Sequence, residues 1–527
     1  MLRRWFSIQY LLVALVVTAP AHAGVLLTTT ITTLPVAEEP PDPLDLRLLE
    51  SSGAVIRRVR ISSNNIFDLQ NPDEDRLLYR FANKAHVTTR PGVIQQQLLF
   101  APGEKVSAQA LEETERLIRS NRYIQEAVVR PVAYDNGVVD VEVRTSDVWT
   151  LMPKVGLSRS GGKNKTALGI KETNLFGSGI ELELAFKSDV DRDTSSIKYV
   201  DRHLGSSWYT LAAYVAENSD GDTRFLQLEE PFYSLNSRSS RGFSVLDSDQ
   251  VDSFYDRGDR ISEYRHENKN AKLFFGWSKG LNEGYTRRYT VGLTFEQHDF
   301  SPFADSVLPN GPLPGNRKLV YPTIGFEILE DEFEKASNHD QIGRVEDRYL
   351  GTRFTASLGF ATESAGSDRD ALILDASAQT GFGSSESSSL LLAASLGGRV
   401  EDAGVRNLLL DTSARYFKRQ SEKRLLYIGL NASYGQSLDT DQYLQLGGDN
   451  GLRGYPLRYQ TGDKRALLTV EQRYFTDWYP WRLFRVGGAV FFDVGRVWGD
   501  SPIDRSNSEL LRDIGFGLRI GNDRSGL

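Results

Sequence analysis

From Lys154 onward, apolar and polar residues alternate in short runs separated by stretches rich in Gly, Asp, Ser and Asn. In Tyr289–Glu296, Tyr289, Val291, Leu293 and Phe295 share one face, and Thr290, Gly292, Thr294 and Glu296 share the other. Asp513–Ile520 sets Ile514, Phe516, Leu518 and Ile520 against Asp513, Gly515, Gly517 and Arg519. Ile180–Phe186 sets Leu182, Leu184 and Phe186 against Glu181 and Glu183. A period of two is the mark of a strand with two unlike faces. Arg424–Tyr434, Ala466–Phe475 and Ala489–Trp498 read as further strands. A soluble sandwich and a membrane barrel both produce such alternation, the first as core against water, the second as lipid against a polar lumen. Three features favour the barrel. Charges fall mid-strand on the small-residue face. Trp208, Tyr209, Trp277, Trp478, Tyr479 and Trp481 lie near segment ends, where interfacial girdles sit. The polar loops are unequal, with Phe300–Lys318 and Leu329–Arg348 the long ones, which suits outer-membrane topology. At about 10 residues per strand plus loops, the region holds about 14–16 antiparallel strands.

The first part of the chain has a different texture. Arg3 and Arg4, the apolar run Ile8–Val17 and the small-x-small Ala21-His22-Ala23 predict a signal peptide over 1–23. The Thr- and Pro-rich segment 24–50 predicts a flexible linker. Within 51–147 the pattern is β-α-α-β-β. Val55–Ile61 alternates as a strand, Pro91–Leu99 opens with a proline suited to a first helical turn, and Phe100–Val106 is a turn. Ser107 is an N-cap for a helix over Ala108–Asn121, with Leu111, Thr114, Leu117 and Ile118 as its apolar stripe. Glu126–Tyr134 and Val138–Arg144 form a hairpin about Asn136-Gly137. The remainder, 148–527, is the barrel.

Composition narrows the chemistry. The 527 residues carry a net charge of −8 and no cysteine. That excludes disulfides, thiol catalysis and cysteine-ligated metal, and the absence of a basic tract argues against a nucleic-acid partner. No apolar run after the signal peptide is long enough for a membrane helix. There is no Gly-x-Ser-x-Gly elbow, P-loop or His-Glu-x-x-His. His86, His203, His266, His298 and His339 are dispersed, so no metal site is expected. No cofactor and no enzymatic activity are expected either.

One stretch stands apart. Leu444–Gln460 reads LQLGGDNGLRGYPLRYQ, with Gly447, Gly448, Gly451 and Gly454 around Arg453. Single acids, Glu471 and Asp493, sit inside the strand-like segments that follow. Thr469, Glu471 and Arg473 share a face opposite Leu468 and Val470, and a membrane barrel turns that face inward. The guanidinium is a planar fork suited to bidentate carboxylate pairing, so the loop is expected to tuck into the lumen with Arg453 on those acids.

FAPGEKVS leading into LEETERLIRSNRYI, with a closing DVWTL, resembles a POTRA domain. The loop GGDNGLRGY with its Arg453-Gly454-Tyr455 core, together with ETNLFGSG (Glu172–Gly179) and LEEPFYSLNSR (Leu228–Arg238), resembles the outer-membrane barrels of the BamA/TamA family. The resemblance implies a Gram-negative outer-membrane protein with its N-terminal domain in the periplasm. It implies that the protein assists insertion or translocation of other proteins into or across the outer membrane. It also implies unfolded outer-membrane or secreted clients, and a periplasmic or inner-membrane partner reached through the POTRA module. Strand addition at the edge of that module is the expected contact; a mere spacer is the alternative. Arg453, Glu471 and Asp493 then have a structural and gating role. Rival functions are a dedicated pore of the two-partner type, a passive channel and a lipid-related barrel. Barrels of the family end on a strand with a terminal aromatic; here Gly521–Leu527 reads as a loop, so one or two strands are expected to be missing.

Overall fold

A computed structural model describes residues 44–527 except 161, 309, 341, 343, 504–507, 523 and 525–527. The expected signal peptide and most of the expected linker lie outside the described residues.

The first elements are α1 (Leu46–Ser51), β1 (Val55–Asn64), α2 (Leu77–Ala85), α3 (Pro91–Gln95), α4 (Ala108–Arg119), β2 (Ile124–Asp135) and β3 (Val138–Asp147). The sheet order is β1-β3-β2, with β1 parallel to β3 and β2 antiparallel to it. Asn136 and Gly137 both take positive φ, 47° and 84°, the backbone a two-residue hairpin needs. Ser107 Oγ accepts from the Ala110 N–H at 3.3 Å and caps α4. Leu111, Thr114 and Ile118 from α4 are buried, and the two aliphatics pack with Ile56, Ile94, Ile124, Val139, Val141 and Val143 into one small core. Helix α2 has no counterpart in the sequence reading.

Eighteen strands follow, from Leu151–Ser160 to Leu511–Gly521, each paired with its sequence neighbours, and they form a closed barrel. Two small hairpins are inserted between them, Phe333–Ser337 with Val345–Tyr349 and Leu444–Leu446 with Gln460–Gly462. The apolar face points outward: Leu293 is 51% exposed, Ile514 77% and Phe516 82%, while Glu471, Arg473 and Asp493 are buried inside. A sandwich would bury those apolar rows, so the alternation belongs to a ring with a polar interior. Closure also satisfies edge groups that an open sheet leaves bare.

Two expectations are corrected. The strand number is eighteen, not 14–16, because several turns are only two residues long, such as 219–220, 257–258 and 402–403. And the eighteen described strands form a closed ring that includes Leu511–Gly521. The two long loops open at opposite ends. The connection 303–316 opens at the end of the barrel away from the α/β module (the far end), but 331–352 opens at the module end, since successive antiparallel connections alternate ends. The segments Glu172–Gly179 and Leu228–Arg238 also contribute module-end turns. Asn174 Nδ2 donates to Thr89 Oγ1 at 2.8 Å, and the Leu235 N–H donates to Glu113 at 2.7 Å. Burial pushes the Glu113 carboxyl above its usual range.

Candidate functional site

The last three strands, Lys464–Phe475, Arg485–Trp498 and Leu511–Gly521, carry two rungs of inward residues. Thr469, Asp493 and Asp513 stand opposite one another in register, and Glu471, Phe491 and Gly515 form the neighbouring rung. The far-end loop between Arg424–Gln436 and Lys464–Phe475 folds down onto them. It keeps its shape through Asn450, whose Oδ1 accepts from the Gly447 N–H at 2.6 Å and whose Nδ2 donates to the Gln445 carbonyl at 2.8 Å. Gly447 is there because a Cβ would stand 2.5 Å from the Arg458 nitrogen and the Pro456 oxygen. The Gly448 N–H donates to that same Pro456 oxygen at 3.0 Å. Leu444, Leu446 and Leu452 from the loop pack on Leu467, Val497 and Leu511 from the wall.

Arg453 meets both expected carboxylates. Its Nη2 lies 2.6 Å from Glu471 Oε1 and its Nε 3.2 Å from Asp493 Oδ2, and the guanidinium rests 3.8 Å from the centre of the Phe491 ring. The Gly454 N–H donates to Asp513 at 2.9 Å, and the Tyr455 hydroxyl donates to the Arg512 carbonyl at 3.2 Å. The tripeptide Arg453-Gly454-Tyr455 thus ties one loop to three consecutive strands. Asp513 is the member sequence reasoning missed. Its signal was there, an acid on the polar face of a predicted strand, but only the register puts it beside Asp493.

The far end is capped over this loop. Arg458 pairs with Asp191 (2.8 Å) and lies over the Tyr255 ring, and the Tyr255 hydroxyl donates to the same carboxylate at 2.7 Å.

From the module end, the hairpin 333–349 enters the lumen. Ile342 packs with Phe417, Leu425 and Phe475. Arg348 Nη2 donates to Ser389 Oγ at 2.9 Å, and Arg473 Nη1 to the His339 carbonyl at 2.8 Å. Arg473 Nε also lies 2.9 Å from Glu471 Oε2. Glu471 therefore joins the two insertions: Arg453 of the far-end loop on one oxygen, Arg473 and through it the hairpin on the other. The hairpin is in turn held by α4. Arg119 Nε lies 2.9 Å from Asp347, Arg116 lies 3.1 Å from Asp331, and Lys335 pairs with Glu115. Glu115 also accepts the Val129 N–H of β2 at 3.0 Å, and Arg344 donates to the Ile124 carbonyl at 2.9 Å. With Pro131 following, the middle of the β2 edge is blunted against strand addition; Val132 and Tyr134 beyond it are exposed.

Of the five dispersed histidines, two converge. His266 Nδ1 is 2.9 Å from Asp252 and its Nε2 3.0 Å from His298 Nδ1. Among the described residues no group of three or more His, Asp or Glu is placed to hold a metal ion.

No family model and no curated protein matches this chain. Among solved structures it is similar to BamA from Haemophilus ducreyi lacking POTRA domains 1–3, at 10% identity, covering 88% of this chain and 84% of that one, with TM-score 0.38. It is also similar to CdiB from Escherichia coli, at 14% identity, covering 89% of this chain and 70% of that one, with TM-score 0.44. CdiB from Acinetobacter baumannii overlaps at 10% identity over 89% of this chain and 74% of that one, with TM-score 0.42. At these scores the likeness carries no functional argument.

Proposed function

We propose that this chain is an outer-membrane barrel, with its α/β module in the periplasm, that assists insertion or translocation of other proteins. The exposed apolar belt around a polar lumen supports the membrane. The observation that carries the rest is the Arg453 loop, fixed inside the lumen on Glu471, Asp493 and Asp513. A loop held by buried charge on the last three strands fixes the shape of that wall, and its role is structural and gating rather than catalytic. The resemblance of its residues to the BamA/TamA loop points the same way. Clients are unfolded outer-membrane or secreted proteins, met at the module by the exposed part of β2 beyond Pro131 and not by its occupied middle.

A dedicated secretion pore is the second reading, and the hairpin 333–349 favours it. A lumen stoppered at the module end by a segment gripped by α4 is a conduit that opens on demand, not a steady channel. The test is a quantitative outer-membrane proteome of cells lacking the protein, beside cells carrying only Arg453→Ala. Loss of a set of barrel or surface proteins in both supports insertion. One secreted protein stalled in the periplasm supports the pore. No change in either overturns both.

A further inference from the structure

Helix α2 has three sectors. Tyr79 and Ala82 face inward, onto Ile66, Phe67, Trp149 and Leu483. Leu77, Leu78 and Phe81 are 85%, 55% and 68% exposed. At about 100° per residue, these three fall within one arc of about 100°, with Arg80 and Lys84 on its flank. The packed side of the helix is complete without them, so three large apolar groups are left standing in the open on one turn and a half. That is an exposed patch of the kind that marks a binding surface.

Position says what covers it. The Tyr79 hydroxyl donates to the Trp481 carbonyl at 2.6 Å. Trp481 and Trp478, in the turn before the strand Arg485–Trp498, are 67% and 65% exposed. The apolar outer face continues up that strand as Val490 and Phe492. On the other side, Arg524 donates to the Ile66 carbonyl at 2.6 Å and accepts the Trp149 N–H at 2.7 Å. Helix α2 therefore stands beneath the place where the first and last strands of the ring meet, level with the aromatic rim of the barrel. A short helix with an apolar arc, a lysine on its flank and a tryptophan neighbour on the same level is built to lie in a headgroup region. Arg80 is paired with Asp75 at 2.6 Å, so Lys84 is the side chain that extends past the apolar arc to lipid phosphates.

We propose that α2 is a membrane anchor. Leu77, Leu78 and Phe81 enter the lipid leaflet on the module side, continuous with the barrel's apolar belt through Trp478 and Trp481. The inference rests on the membrane-spanning reading of the barrel. The module is then held against the bilayer at one fixed edge and does not swing freely below the pore.

The chain contains no cysteine, so single-cysteine variants of the full protein can carry an environment-sensitive fluorophore. Phe81→Cys, Leu293→Cys on the outer face of the barrel, and Ala101→Cys on an exposed module turn are reconstituted in phosphatidylcholine–phosphatidylglycerol vesicles. Some vesicles contain phosphatidylcholine spin-labelled near the top of the acyl chain. The Phe81 label is expected to be blue-shifted and quenched several-fold more than the Ala101 label. A water-like Phe81 label beside a quenched Leu293 label overturns the anchor and leaves the barrel reading intact. If the Leu293 label is also unquenched, the membrane-spanning reading fails and the anchor with it. A Phe81 label shielded from water but unquenched by lipid, and exposed again at low protein density, means that a second copy covers α2; that too overturns the proposal.

Discussion

Replacing Arg453 by Ala should destabilise the barrel by leaving Asp493 without its cation. Glu471 keeps Arg473 at 2.9 Å and Arg519 at 3.6 Å, so its loss is partial, about 1 kcal/mol or less. Asp493 is different. It is fully buried, it stands in register with Asp513, and among the described residues Arg453 is the cation that reaches it. Removing one partner of a buried pair costs about 3–5 kcal/mol, and like charges directly opposite add to that. Part is recovered by water or a proton entering the space left by the guanidinium, so about 3 kcal/mol is the expected loss. Arg453→Lys should recover less than half, because an ammonium cannot span both carboxylates or lie flat on Phe491. The assay is urea unfolding in lipid vesicles followed by tryptophan fluorescence, with heat-modifiable migration as a check on the folded fraction. The sharp control is the double variant Arg453→Ala with Asp493→Asn, which removes the orphaned charge and should regain most of the loss. If the single variant unfolds within about 0.5 kcal/mol of the parent, or if the double variant is no more stable than the single, the charge argument is wrong.

Arg119 is buried and serves Glu115 and Asp347 together; Arg119→Ala should loosen the hairpin from α4 and raise the opening frequency in planar bilayers by about tenfold for each 1.4 kcal/mol lost. Burial, with Arg348 and Arg419 nearby, pushes His339 down to about 4, against about 6.5 when released. The released hairpin therefore binds the proton more readily. Docking is at full strength above pH 6.5, weakens as pH falls toward 4 and changes no further below it; at pH 5 the loss is about 2 kcal/mol. Hydrogen exchange over 333–349, corrected for intrinsic rates, should show it, and His339→Gln should abolish the pH dependence. Gly447→Ala drives a methyl into backbone 2.5 Å away and should cost about 1–3 kcal/mol, read as a lower urea midpoint in the same vesicle assay.

The barrel was legible because a period of two marks a strand with unlike faces whatever its neighbours are. The Arg453 loop was legible because a glycine-dense turn around a single arginine, followed by mid-strand acids, leaves few other geometries. Asp513 was not, since its partner is set by register, and register is a property of two strands rather than one. Helix α2 escaped because it lacks a side-chain N-cap and because its most apolar arc faces away from the module's core, so the usual inward stripe is not what LLYRFANKA displays. The hairpin 333–349 escaped differently. Its strands are five residues each, polar enough to read as loop. Its end of the barrel is also opposite to that of 303–316. One strand, Arg317–Glu330, separates those two connections, and in an antiparallel ring one strand always carries the chain to the opposite rim. The module fixes which rim the first strand leaves from, and every later loop is then assigned by parity. That count puts the Arg453 loop at the far rim and the hairpin at the near one. It is also why Glu471, midway along the strand Lys464–Phe475, is where insertions from opposite ends of the barrel converge.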